Sequence, residues 1–415
     1  MTKSRNASLF TAYLVLFLDN FGFAVVFTLF PLLFLHNDVS ILPVETTVAS
    51  RNLLLGFILA SFPLAQFFGA PYFGDIADRY GRKKALSFTI IGTFFGYLLS
   101  ALAILTTNFY LLLFSRILTG FFAGNLSLCM TIVSDFNTGK KAKARSLSIA
   151  TMLLGISWIV AILVGALFAN PSAFSLMRTS LLFILIAVAT LISLIFLKAY
   201  FIESHAPAAR TKKGISVLKA VHNVLHVFES KNLRLLYLIL FLWFLGFGMA
   251  MQWATPIAIE KFHASYRQIL WFLIFMGICW TFASGVLNNI LVKWVNLWQL
   301  IIWSLLGLSI CYFFAGVGDF FPYYLILFGI SSIFAAISWS NSLSLIALAA
   351  NEDEKAKALG VGSSMTALAE FLGPCLGGVI AAMTIEPLLY AAAIFVFIAF
   401  FLLFGYFIKN RKSIA

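Results

Sequence analysis

The sequence predicts an all-α polytopic membrane protein, twelve transmembrane helices arranged as two pseudo-symmetric six-helix bundles. Three observations carry that expectation. Hydrophobic residues make up 62% of the 415 residues and charged ones 10%, against roughly 25% charged in an ordinary globular domain. Twelve runs reach the roughly 20 mostly apolar residues that a membrane-crossing helix needs. The longest polar stretch, 202–233, falls between the sixth run and the seventh.

Taken in order, the runs cover 9–35, 52–74, 84–106, 108–134, 145–169 and 177–201, then 234–257, 267–291, 296–316, 321–349, 358–383 and 386–408. Only Thr106-Thr107-Asn108 separates the third run from the fourth, which predicts a tight antiparallel pair. The expected organisation is an N-terminal bundle over 1–201, a linker over 202–233 and a C-terminal bundle over 234–415. Within the linker, Leu218, Val221, Leu225 and Phe228 recur at spacings of three and four, one apolar stripe on a helix. With Lys219 and Lys231 nearby, an amphipathic helix against the cytosolic membrane face is expected. His222 and His226 lack a third ligand nearby, so no metal is inferred.

The net charge of +13 would raise nucleic acid as a partner for a soluble chain. Here the basic residues set orientation instead. All 28 Lys and Arg except Arg51, Arg116, Arg178, Lys261 and Arg267 fall in the two tails, the central linker and the span ends that flank it (Lys198 and Arg234), or the short segments 75–84, 135–145, 292–295 and 350–357. Cytosolic loops carry such an excess, so both termini are expected to be cytosolic. The N-terminus shows no short apolar core followed by a small-residue cleavage site. Cys129, Cys279, Cys311 and Cys375 all lie in apolar runs without CxxC spacing, so they are read as packing residues.

Ionisable groups within membrane helices are expensive and mark function. Three are present: Asp19, Arg116 and Glu370. With a rise of about 1.5 Å per residue, each lies about 12–18 Å from one end of its span. That is near the midplane, where secondary transporters bind substrates and coupling ions. Asp19 and Arg116 could form a structural ion pair. Alternatively, Asp19 is a carboxylate that loads and releases a proton as access and the nearness of Arg116 change. Glu370 has no evident basic partner and is a second proton site or a substrate hydrogen-bonding group.

The densest charge sits in Gly74-Asp75-Ile76-Ala77-Asp78-Arg79-Tyr80-Gly81-Arg82-Lys83-Lys84, expected as a cytosolic hairpin. The bases satisfy the positive-inside pattern. The glycines permit a sharp turn, and Asp78 could face a helix N-terminus. Asp135 is a candidate partner for Arg82.

Gly74-x-x-x-Asp78-Arg79-x-Gly81-Arg82-Lys83-Lys84 resembles the signature loop of the major facilitator superfamily. Arg116-x-x-x-Gly120 is similar to the arginine motif of its proton-coupled drug transporters. Asp135 followed by Arg145 resembles the loop between spans 4 and 5, and Leu18-Asp19-x-x-Gly22 with Pro31 resembles span 1 of the tetracycline-efflux-like branch. Two departures stand out. The run Gly155–Gly165 has no proline where drug antiporters carry a Gly-Pro-rich motif, although Gly373-Pro374-Cys375-Leu376-Gly377-Gly378 occurs in span 11. The second-half echo of the loop, Gly285-x-x-x-Asn289-x-x-x-Lys293, has lost its acid. The resemblance implies a latch in which Asp78 meets the start of span 11 near 359–362, with Arg82 and Asp135 holding the loop.

Candidate substrate contacts are Asn20, Gln66, Asn125, Trp158, Gln252, Trp253, Trp339 and Asn341, each of which could equally bond between helices. The expected function is proton-coupled alternating-access transport of a small molecule, most simply export of an amphiphilic compound in exchange for protons. The alternative is proton-linked import of a metabolite or a siderophore-like metal chelate, and a receptor on the same scaffold is a third class. Neither an enzyme, a cofactor nor a nucleic-acid partner is implied. A monomer in the bacterial inner (plasma) membrane is the expected state.

Overall fold

The computed structural model describes residues 2–35, 40–137, 140–168, 175–203, 217–229, 233–350 and 355–414. Among them every regular element is helical. The first half contains α1 (Thr2–Ala24), α2 (Val26–Leu35), α3 (Val48–Tyr80), α4 (Arg82–Leu105), α5 (Phe109–Phe122), α6 (Asn125–Asp135), α7 (Lys140–Phe168) and α8 (Leu176–Tyr200). Then come α9 (Lys219–Glu229), α10 (Arg234–Glu260), α11 (Tyr266–Phe282) and α12 (Asn288–Leu291), the last two joined by a π-helical turn, Ala283–Leu287. The chain closes with α13 (Leu297–Val317), α14 (Phe321–Ala349), α15 (Lys355–Met383) and α16 (Pro387–Ile414). Among the described residues, eleven stretches are long and apolar enough to cross a membrane, and Met152–Phe168 is a shorter apolar helix within α7. The protein is an integral, multi-pass membrane protein.

Local sequence explains where these helices stop. The tight pair α4 and α5 turns at Thr107, which takes φ 48. The side chain of Asn108 then accepts from the Leu111 N–H at 3.0 Å, satisfying one donor at the start of α5. The stretch 74–80 is not the loop that its charges suggest. Helix α3 continues through it to Tyr80 and breaks only at Gly81, whose φ of 97 favours glycine. Charged residues tolerate helix once outside hydrocarbon, and Asp78 and Arg82, one turn apart, pair across the break.

By contact the chain forms two compact units, Met1–Thr46 with Ser61–Lys219, and Thr47–Ala60 with Ala220–Ala415. In the first, α4 packs along α8 and α5, and α1 packs on α6, α7 and α8. Val15, Leu16, Ile90, Leu128, Ile132 and Leu197 belong to its buried cluster. Lipid is as apolar as these side chains, so close backbone approach and interhelical hydrogen bonds must hold such helices together. Gly69 and Gly120 show this: a methyl group on either would overlap a backbone carbonyl, of Phe121 and Phe62 respectively.

In the second unit α10 packs on α15 and α16, and α13 on α14 and α16. Aromatic ring contacts fill its interior, among them Phe272 stacked on Tyr324 at 5.2 Å and Tyr324 tilted against Phe328 at 4.8 Å. Helix α9 occupies part of the linker. Leu218, just before it, and Leu225 on it are exposed, Val221 is half-buried, and Ala220 and Val227 are buried. The side chains of Phe228 and His226 lie outside the described residues.

Candidate functional site

The fourth span is interrupted. Helix α5 ends at Phe122 and α6 restarts at Asn125, leaving Ala123 and Gly124 outside helical geometry. Irregular backbone at such depth must find internal partners. Gln66 of α3 supplies one, its Nε2 donating to the Ala123 carbonyl at 2.7 Å. The first residue after the break, Asn125, reaches α1, where its Nδ2 donates to Asp19 Oδ1 at 3.2 Å. Its own Oδ1 is buried and has no hydrogen-bond partner.

Asp19 and Arg116 do not pair among the described residues. Arg116 is 1% exposed and its guanidinium carbon lies 4.9 Å from the centre of the Phe62 ring and 5.7 Å from that of Phe30, a cation–π setting. Its Nε and Nη1 make no hydrogen bond. The sequence suggested a carboxylate and a guanidinium acting together; the broken span separates them and inserts Asn125 beside the carboxylate. A small cavity of about 10 Å³ adjoins Asp19 and is lined by Thr93, Tyr97, Asn125, Thr190 and Ser193 among others.

Helix α1 is held against α7 by polar bonds. Asn20 Nδ2 donates to the Leu154 carbonyl at 3.0 Å, and the Ser157 hydroxyl donates to the Phe17 carbonyl at 2.8 Å. Asn20 is therefore engaged between helices. Trp158 packs with Phe27 at 5.1 Å and Phe23 at 6.2 Å.

In the second unit Glu370 is partly buried on α15, and no hydrogen bond or ion pair reaches its carboxylate among the described residues. Pro374 lacks the N–H that would bond the Glu370 carbonyl one turn earlier. Gln252 of α10 fills that gap, its Nε2 donating to the Glu370 carbonyl at 3.4 Å. Trp253 donates to the Pro374 carbonyl at 3.3 Å. Asn341 donates to Asn288 Oδ1 at 2.6 Å, tying α14 to the helix just after the π-helical turn. Trp339 remains partly exposed beside Phe244 and Trp280. Of the eight candidate contacts, all but Trp158 and Trp339 make a side-chain hydrogen bond among the described residues.

The α3–α4 connection has a structure that its own residues did not disclose. Glu203, beyond α8, accepts from the backbone N–H groups of Arg82 at 2.8 Å and Lys83 at 3.1 Å. It places a negative charge on the N-terminus of α4, where the helix dipole favours one. Lys83 reciprocates, its Nζ donating to the carbonyls of Lys198 and Phe201 at the end of α8. Arg82 Nη1 lies 3.0 Å from Asp78 and its Nε 3.7 Å from Asp135. Asp75 pairs with Lys219. Gly74 and Arg79 are half-buried, and the side chain of Arg145 lies outside the described residues. Nothing near position 83 in sequence signals Glu203; the link exists only once α4 and α8 pack together.

Two helical units, interrupted spans and polar groups buried midway along them define a secondary-transporter architecture. The chain belongs to the Major Facilitator Superfamily, whose family model matches residues 10–318 and 296–414. Its members are transporters rather than enzymes. A tetracycline resistance protein, class H, from Pasteurella multocida is 28% identical over 228 residues, 55% of this chain and 52% of that protein. The chain thus matches about half the length of that relative. The human organic anion transporter MFSD10 superposes with a TM-score of 0.73 at 19% identity, covering 96% of this chain and 99% of that one. The xylose transporter of E. coli gives 0.73 at 16% identity over 97% and 98%. At these identities the two solved structures share the fold.

Proposed function

We propose that the protein is a proton-coupled antiporter that exports an amphiphilic small molecule, with Asp19 as the carboxylate that carries the proton. The carrying observation is the Asp19–Asn125 contact at the break in the fourth span. A carboxylate held by a residue that follows a two-residue interruption is sensitive to small movements of α6, so its charge can follow the transport cycle. Arg116 and Glu370, neither of which has a charged partner among the described residues, are the further charge-bearing groups of the cycle. The similarity to a tetracycline resistance protein supports export. The α3–α4 connection, through Gly81, Asp78, Arg82 and Asp135, is assigned control of the conformational change. Both termini are placed in the cytosol on the distribution of Lys and Arg.

The test is drug accumulation in inverted membrane vesicles energised by an acid interior, with tetracycline and ethidium as probes. Uptake that collapses with a protonophore and is missing in Asp19→Asn supports antiport. Accumulation in right-side-out vesicles under an inward proton gradient would instead establish import. That second reading, proton-linked import of an anionic metabolite, is favoured by Arg116, a buried cation with no ion pair among the described residues and with Nε and Nη1 unbonded. The same paired vesicles separate the two.

A further inference from the structure

At the end of α3 remote from the α3–α4 connection, two hydrogen-bonded side chains each bury an acceptor without a donor. Asn52, on the second turn of α3, is fully buried. Its Nδ2 donates to the Ala381 carbonyl of α15 at 3.2 Å and to Oε2 of Glu260, the last residue of α10, at 3.3 Å. Both amide hydrogens are thereby used. Asn52 Oδ1 and Glu260 Oε1 are buried and have no hydrogen-bond partner, a condition in which buried acceptors are seldom left. Turning the amide over would set its oxygen against two other oxygens, so its partners fix its orientation.

A carboxylic acid and a primary amide pair as a ring, each donating to the other's oxygen. The N–H half of that ring is in place here. The two unmatched oxygens are the ones its other half would join, so a proton on Glu260 Oε1, donated to Asn52 Oδ1, satisfies both. Charge points the same way. No ion pair reaches Glu260 among the described residues, and the adjacent Lys261 is turned to the Gly316 carbonyl at 2.7 Å and to Asp319 at 3.5 Å. The ionisable groups that α3, α14 and α16 bring to this end are Arg51, buried beside Asn52, Asp319 and Tyr324, and Glu386 and Tyr390. Glu260 also ends α10, where the helix dipole disfavours a negative charge. A bridging water would bond both oxygens but leave that charge in place.

We propose that Glu260 and Asn52 form a proton site that holds the start of α3 on α10 and α15. The stretch Thr47–Ala60 belongs to the second unit, and it packs closely there: a methyl group on Gly56 would lie 2.8 Å from the Pro374 carbonyl oxygen. Protonated, Glu260 closes the ring with Asn52. Ionised, it sets a carboxylate against an amide oxygen and loosens the contact. Proton uptake is thereby coupled to the docking of the start of α3, at the outer face in the proposed orientation. The site stands apart from Asp19 and from the direction of transport.

The test uses the purified full-length protein in nanodiscs. Infrared difference spectroscopy of the parent against Glu260→Gln at neutral pH should show the carbonyl band of a protonated carboxyl, shifting in deuterated water. Asn52→Ala should move that band toward the position of an unbonded acid. Hydrogen–deuterium exchange of 47–60, corrected for the intrinsic effect of pH, should be about tenfold slower at mildly acidic than at mildly alkaline pH, equivalent to about 1.4 kcal/mol. Glu260→Gln, whose amide can donate where the acid proton did, should stay slow at both. Carboxylate bands alone in the difference spectrum overturn the proton site, and equal exchange of the parent at the two pH values overturns its hold on α3. Neither outcome touches the antiport reading, which the vesicle assay decides on its own.

Discussion

Each unit carries one acidic residue deep in a span, and the two are built differently. Asp19 in the first unit has its carboxylate held by an amide, Asn125, and borders a small cavity of mixed polar and apolar lining. Glu370 in the second also has an amide beside it, Gln252, but that amide serves the backbone carbonyl freed by Pro374. The carboxylate itself is left alone. A side chain whose position is fixed by its neighbours can couple its charge to their movement. One that nothing holds can bind a proton or a substrate group but transmits little. Under the proposed antiport, ion coupling would fall to the first unit and an auxiliary role to the second.

The largest expected effect is on Asp19. Asp19→Asn should lower gradient-driven transport by about 100-fold or more, equivalent to about 2.7 kcal/mol, while leaving purified protein folded in a thermal-stability assay. An Asp19→Asn protein that still transports at a quarter of the parent rate would remove the contrast between the two units. Next is the scaffold that places Asn125. Gly120→Ala drives a methyl into the Phe62 carbonyl, and overpacking of this kind costs about 1–3 kcal/mol. Its melting temperature should fall and its transport with it.

Glu370→Gln sharpens the comparison from the other side. It should reduce transport only a few-fold and shift apparent substrate affinity more than maximal rate. A loss as deep as that of Asp19→Asn would make the two carboxylates equal partners. Smallest is Glu203→Gln, which weakens a charge at the N-terminus of α4 for about 0.3–1 kcal/mol. A modest drop in melting temperature is expected, with substrate binding retained. Asp78→Asn belongs beside it: transport should fall while substrate binding persists, and equal loss of both would mean that the connection serves folding.

The helical, membrane-spanning architecture was legible in the sequence because the bilayer fixes the length of apolar runs. The buried carboxylates were equally plain, since any charge in a run of Phe and Leu stands out. Their partners were not. Asn125 follows the pair Ala123 and Gly124, small residues that hint at a broken helix, yet nothing in them names Asp19, 106 positions away. Arg116 was read toward the carboxylate on charge alone, whereas the packing of α5 turns it to Phe62 and Phe30. The helical continuation through Asp75–Tyr80 was hidden by charges that resemble a loop. Glu203 could only be found after α8 was laid along α4.

Proton movement measured together with substrate movement tests the coupling of Asp19 most directly. Proteoliposomes carrying a trapped pH-sensitive dye and an acid interior would be challenged with tetracycline and related amphiphilic compounds. The account predicts that a transported compound accumulates inside while the interior turns alkaline, and that Asp19→Asn abolishes both signals together. Accumulation without proton efflux, or equal signals from Asp19→Asn, would contradict it.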